Sequence, residues 1–186
     1  MLSLRSFDGC TKMALTVIDT KKKMIHSGLI GLTCVAISYP PTSGNAQSAP
    51  FNVADRTEIL EVRAFGIQLY ECRADTDGKT VWALREPVAT LIDQGKTVGR
   101  HYAGPTWQFN DAGTVSGKLL TTQPGATAAD VPLLKLAVVS RPSEGPLKDV
   151  AFILRLDTRG GALKGLCRDA GALQAEPYDA RYVFLR

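Results

Sequence analysis

The sequence predicts an all-β domain, either an antiparallel β-sandwich or a flattened barrel of about eight to ten short strands with long Pro-rich loops. Three observations predict it. Apolar and polar residues alternate over segments of strand length, turn-forming residues separate those segments, and no useful stretch carries a 3.6-residue apolar period. At 186 residues, 45% hydrophobic and 22% charged, the chain has the make-up of one packed domain.

The first element set apart is the N-terminus. Lys21-Lys22-Lys23, the apolar stretch Gly28–Tyr39, the helix-breaking Pro40-Pro41 and the small residues Gly44-Asn45-Ala46 have the layout of a secretory signal. The apolar stretch is shorter than the roughly 18 residues of a membrane span. Thr33 before Cys34 is bulkier than lipoprotein processing favours. Residues 1–46 are therefore expected to be an extension and cleaved signal peptide, and residues 47–186 a single β domain in the periplasm or secreted. The mature chain then holds no integral membrane segment.

The strands follow. Glu58–Phe65 reads as strand or helix. Asp77-Gly78 between Gly66–Ala74 and Thr80–Arg85 predicts a hairpin with a type I′ turn. Asp93-Gln94-Gly95-Lys96 separates Val88–Ile92 from Thr97–Ala103, and Asn110–Gly113 separates Thr106–Phe109 from Thr114–Leu120, which extends the hairpin into a meander. Leu133–Ser140, Val150–Asp157 and Tyr178–Leu185 continue it, with Gly160-Gly161 as a turn. In Val150–Asp157 the residues Val150, Phe152, Leu154 and Leu156 share one face, and Arg155 and Asp157 point away. The Pro-rich loops Gln123–Pro132 and Arg141–Pro146 are expected at one end, where loops carry function.

Cleavage after Ala46 leaves two of the four cysteines, Cys72 and Cys167. In an oxidising compartment this even count suggests one disulfide, with two buried thiols as the alternative. A metal centre is not expected, because Cys72, Cys167 and His101 lack ligand spacing and His101 is the only histidine after residue 46. The net charge of +4 falls to +1 once the lysine-rich N-terminus is removed, and no basic stripe remains to hold nucleic acid.

The run Gly99-Arg100-His101-Tyr102-Ala103-Gly104-Pro105-Thr106-Trp107 is the best candidate site. Gly99 and Ala103 flank His101 on its strand face and leave room beside the imidazole. Tyr102, Trp107 and Trp82 offer flat rings to a ligand, and Gln68 and Tyr70 share a strand face with Cys72. The chain holds no G-x-S-x-G elbow, no phosphate loop and no G-x-G-x-x-G between a strand and a helix, so no cofactor is expected.

Gly66–Cys72 (GIQLYEC), Trp82-Ala83-Leu84, His101–Trp107 (HYAGPTW) and Tyr178–Phe184 (YDARYVF) together resemble the DUF3455 family of exported bacterial and fungal proteins, from about Gly66 to Arg186. The resemblance implies export and a single domain, and supplies no activity, cofactor or catalytic residue. The leading expectation is a non-enzymatic domain that binds a small molecule, such as a carbohydrate, or a partner through the His101–Trp107 loop. The alternatives are a hydrolase or lyase on extracellular carbohydrate, using His101 with a carboxylate, and a structural surface protein without a pocket.

Overall fold

The computed structural model describes residues 51–53 and 55–186. The signal-peptide reading of residues 1–46, and the boundary at residue 47, lie outside the described residues. Eight strands succeed one another: β1 (Glu58–Ala74), β2 (Thr80–Asp93), β3 (Lys96–Tyr102), β4 (Thr106–Phe109), β5 (Gly113–Gln123), β6 (Leu133–Ser140), β7 (Phe152–Gly160) and β8 (Leu173–Leu185). Each pairs antiparallel with the next, and β8 returns to β1 along a long register that includes Ala64↔Ala180. The sheet thus closes on itself as an up-and-down barrel, which leaves no free edge. No helix among the described residues is long and apolar enough to cross a membrane.

Several expectations are corrected. Of the two arrangements left open, the ring forms rather than the sandwich. The strands are not all short, since β1, β2 and β8 have 17, 14 and 13 residues. Glu58–Phe65 is strand and runs unbroken into Gly66–Ala74. Thr80–Arg85 and Val88–Ile92 are also one strand, with a register shift that sets Leu69 against Glu86 and Tyr70 against Leu84 and bypasses Arg85. Asp77-Gly78 does not form a type I′ turn. Only Gly78 has positive φ there (77°), and Gly78 N donates to Asp75 O at 3.1 Å while Asp75 N donates to Lys79 O at 2.8 Å, a three-residue loop ending in a left-handed glycine. Gln94 and Gly95, at φ 45° and 79°, make the two-residue turn with both central residues left-handed. The Pro-rich loops lie at opposite ends, because successive connections of a meander alternate ends. Residues 75–79, 103–105, 124–132 and 161–172 make the upper end, and 94–95, 110–112 and 141–151 the lower.

The two ends differ in chemistry. Toward the lower end the interior is apolar: Val62, Leu91, Phe109, Val115, Leu136, Ile153 and Phe184 pack together, and Leu147 and Val150 from the connecting loop close it. Toward the upper end the inward residues are Gln68, Tyr70, His101, Trp107, Arg155, Tyr178 and Tyr182, all buried. Gly99 is required where β3 meets β4, since a Cβ there would lie 2.1 Å from Gln108 O.

A second cluster sits outside the barrel. Phe51 and Val53 cover Leu154, Leu156, Val183 and Leu185 on the outer face of β7 and β8. This cover overturns the expected facing of β7. Phe152, Leu154 and Leu156 point outward beneath the N-terminal segment, so Ile153 and Arg155 point into the barrel. Covering both faces of a strand removes the alternation from which an inward face is read.

Candidate functional site

The upper end is fastened on one side. The predicted disulfide forms between Cys72 and Cys167, with a Cα–Cα distance of 5.8 Å, and joins the 161–172 segment to β1. Thr80 Oγ1 donates to Cys167 O at 2.7 Å, Trp82 N to Gly165 O at 3.1 Å, and Cys72 N to Ala172 O at 2.9 Å. The Tyr70 hydroxyl donates to Gly161 O at 2.7 Å and accepts from Leu163 N at 3.2 Å. Asp130 on the neighbouring loop accepts from Gly160 N at 2.6 Å and from Thr127, contacts that hold its carboxyl below the usual range.

On the opposite side the barrel opens into a cleft of about 410 Å³. Its floor is Gln68, His101, Trp107, Leu136, Arg155 and Tyr182, and its rim includes Leu84, Glu86, Pro87, Ala103, Gly104, Pro105, Leu119, Pro132 and Leu134. Its volume falls within the range of small-molecule sites.

His101 is fixed in place. Pairing opposite Trp107 across β3 and β4 stacks the two rings at 4.5 Å and 9°, and Tyr182 meets the imidazole edge-on at 5.0 Å. Nδ1 donates to Thr106 O at 2.8 Å, since a carbonyl only accepts, and this leaves Nε2 as an acceptor. Burial, with the Arg155 charge adding to it, pushes the imidazole down to about 4 against the raising effect of the Thr106 carbonyl. The ring is therefore neutral at physiological pH. Burial raises Tyr178 and Tyr182 as well, so both phenols stay protonated.

The polar groups around this ring have unspent bonding capacity. Gln68 Nε2, Trp107 Nε1 and the Tyr178 and Tyr182 hydroxyls are buried and reach no partner at hydrogen-bond geometry. Gln68 with Tyr178, Tyr178 with Tyr182, and Tyr182 with Arg155 lie within side-chain hydrogen-bonding reach of one another, though none of these contacts is well aligned. Arg155 is 8% exposed. Its Nε donates to Pro132 O at 3.0 Å, and no carboxylate among the described residues forms an ion pair with it.

Of the six residues singled out from the sequence, Gln68, His101 and Trp107 converge on the cleft. Tyr70 ties down the 161–172 segment. Trp82 sits half-buried on β2 opposite Cys72, and Tyr102 faces outward beneath the Arg100 guanidinium, 5.2 Å from its ring centroid. Sequence reasoning missed Arg155 and Tyr182. The adjacent apolar pair Ile153-Leu154 was the available clue, since it makes both faces of β7 apolar and leaves Arg155 interrupting a buried face. No group of three or more His, Cys, Asp or Glu among the described residues is placed to hold a metal ion.

Residues 53–186 match the family model described as Protein of unknown function (DUF3455). No curated protein and no solved structure matches the chain.

Proposed function

This chain belongs to the DUF3455 family, and we propose that it binds a small molecule in the upper-end cleft, with His101 and Trp107 as the floor on which the ligand rests. One observation carries the reading: Trp107 Nε1, a buried donor without a partner, and Arg155, a buried guanidinium that no carboxylate among the described residues pairs with, border an open cleft. Leaving a buried polar group unpaired costs about 1–3 kcal/mol. A ligand that supplies acceptors recovers that cost on binding. The acid–base alternative draws no comparable support, because the imidazole bonds a backbone carbonyl and no carboxylate among the described residues pairs with it.

The Cys72–Cys167 disulfide supports action in an oxidising compartment, in keeping with the signal-like N-terminus. N-terminal sequencing of exported material should begin near Gln47, and retention of Lys21–Lys23 would count against export by cleavage. Native mass spectrometry of protein purified from its own host tests the binding. The expected spectrum contains a species heavier than the apoprotein by a small molecule released on unfolding. An apoprotein mass alone, together with no response of Trp107 emission to host small-molecule extracts, refutes binding.

A further inference from the structure

We propose that the ligand carries a carboxylate, held against Arg155, on an apolar body that fills the rest of the cleft. The inference rests on the binding reading above and adds the ligand's chemical class.

Arg155 is the decisive residue. It stands inside the barrel on β7, paired across the sheet with Leu134 and Tyr182, and holds its guanidinium at 8% exposure with Nε on Pro132 O and the Tyr182 hydroxyl beside it. Buried charges are ordinarily paired, because desolvating an isolated ion is costly. The cleft's one carboxylate, Glu86, is engaged elsewhere: its Oε1 lies 3.6 Å from Arg85 Nε. Arg155 therefore lacks an anion among the described residues and lines the cleft.

The neighbouring groups point the same way. Gln68 Nε2 and Trp107 Nε1 are donors, and the protonated Tyr182 hydroxyl can donate. A guanidinium with neutral donors around it matches the two oxygens of a carboxylate. The second cation of the lining, Arg85, is paired with Glu86 at 3.6 Å and Glu71 at 4.0 Å, so a doubly charged phosphate would meet one unpaired cation, a poorer match. The remainder of the wall is apolar, and Leu84 and Leu119 at the rim are 50% and 51% exposed, so an apolar body would cover them.

The test uses four probes with one tail, n-octanoate, n-octanol, n-octylamine and n-octyl phosphate, titrated calorimetrically into the disulfide-bonded protein at pH 7.5. Trp107 emission in a Trp82→Phe background gives an independent readout. Octanoate is expected to bind at least tenfold more tightly than the other three. Arg155→Met, checked for folding by circular dichroism, is expected to lower octanoate affinity at least tenfold and leave octanol unchanged. If that variant does not fold, the wild-type ranking of probes decides alone. Equal binding of octanoate and octanol overturns the carboxylate while the binding reading stands. A preference for octyl phosphate overturns the carboxylate in favour of phosphate. Failure of all four probes overturns the proposal, and the native mass spectrum then decides whether any ligand binds.

Discussion

Acidification should destabilise this barrel through His101 in a way that one substitution removes. The folded imidazole takes its proton near pH 4, whereas an exposed imidazole takes it near 6.5. Between those values the unfolded chain holds more proton than the folded one, so stability falls as pH drops from 6.5 toward 4 and levels off below. The gap corresponds to roughly 3 kcal/mol across that window, at about 1.4 kcal/mol per pH unit. Above pH 6.5 both states are neutral at this site and the contribution is flat. His101→Asn places an amide donor near the position of Nδ1 and does not titrate. It loses the stack on Trp107, an offset of about 1 kcal/mol that is independent of pH. The assay is urea denaturation of both proteins from pH 4 to 8 with the disulfide intact. Carboxylates such as Asp130 titrate in both proteins and cancel in the difference. The wild-type-minus-variant stability should be constant above pH 7 and decline by about 3 kcal/mol by pH 4. Parallel profiles would refute the reasoning, because they would mean that His101 is solvated enough to protonate in place.

Four further outcomes follow from the geometry. Replacing Cys72 and Cys167 by Ala opens a covalent link spanning a sequence separation of 95, and chemical denaturation should show a loss approaching 4–5 kcal/mol, the chain-entropy value for so long a loop. Tyr70→Phe orphans Gly161 O and Leu163 N, so thermal melts should report a loss of about 1–3 kcal/mol, and an unchanged melting temperature would show that the 161–172 segment is held without it. Gly161→Ala sets a Cβ 2.6 Å from Tyr178 Cβ and 3.0 Å from Gln68 Cγ at φ 80°; a loss above about 1 kcal/mol is expected, with octanoate affinity falling as Gln68 is displaced. Gln68→Met replaces a buried amide whose Nε2 has no well-aligned partner by an apolar chain of similar size, so stability in urea should hold or rise by about 1 kcal/mol while binding weakens, and a loss above 2 kcal/mol would make Gln68 a structural residue instead.

Much of the strand content was legible because hairpin turns advertise themselves. Asp77-Gly78, Gln94-Gly95 and Gly160-Gly161 punctuate the chain where left-handed backbone is needed. The facing of β3 was legible too, since Gly99 and His101 must share a side of the strand. The pairing of Cys72 with Cys167 needed only the count of cysteines after residue 46. Ring closure was not legible, because the β1–β8 register joins residues such as Glu61 and Val183 that no local pattern connects. Nor was the facing of Arg155. Reading Leu154 and Leu156 as core-facing was sound for a strand with one covered face, and it failed because Phe51 and Val53 cover the other.

That cover explains how the barrel accommodates its upper end. A guanidinium without a paired carboxylate and buried donors that are poorly satisfied weigh against folding in a small domain. The compensation lies elsewhere, in the apolar lower interior closed by Leu147 and Val150 and in the outer cluster on β7 and β8. The aromatic column Phe109–Phe184–Trp107–Tyr182 runs between the two regions with ring centroids 5.2–5.9 Å apart. It carries the rigidity of the base up to the imidazole. The groups with unspent bonds are thus held by the part of the molecule that needs no ligand. A ligand bound there as proposed would meet side chains already in place and lose little in ordering them. An upper end that served only structure would gain from apolar residues at positions 68 and 155, and measuring Gln68→Met and Arg155→Met for stability and for octanoate affinity in the same preparations separates the two roles.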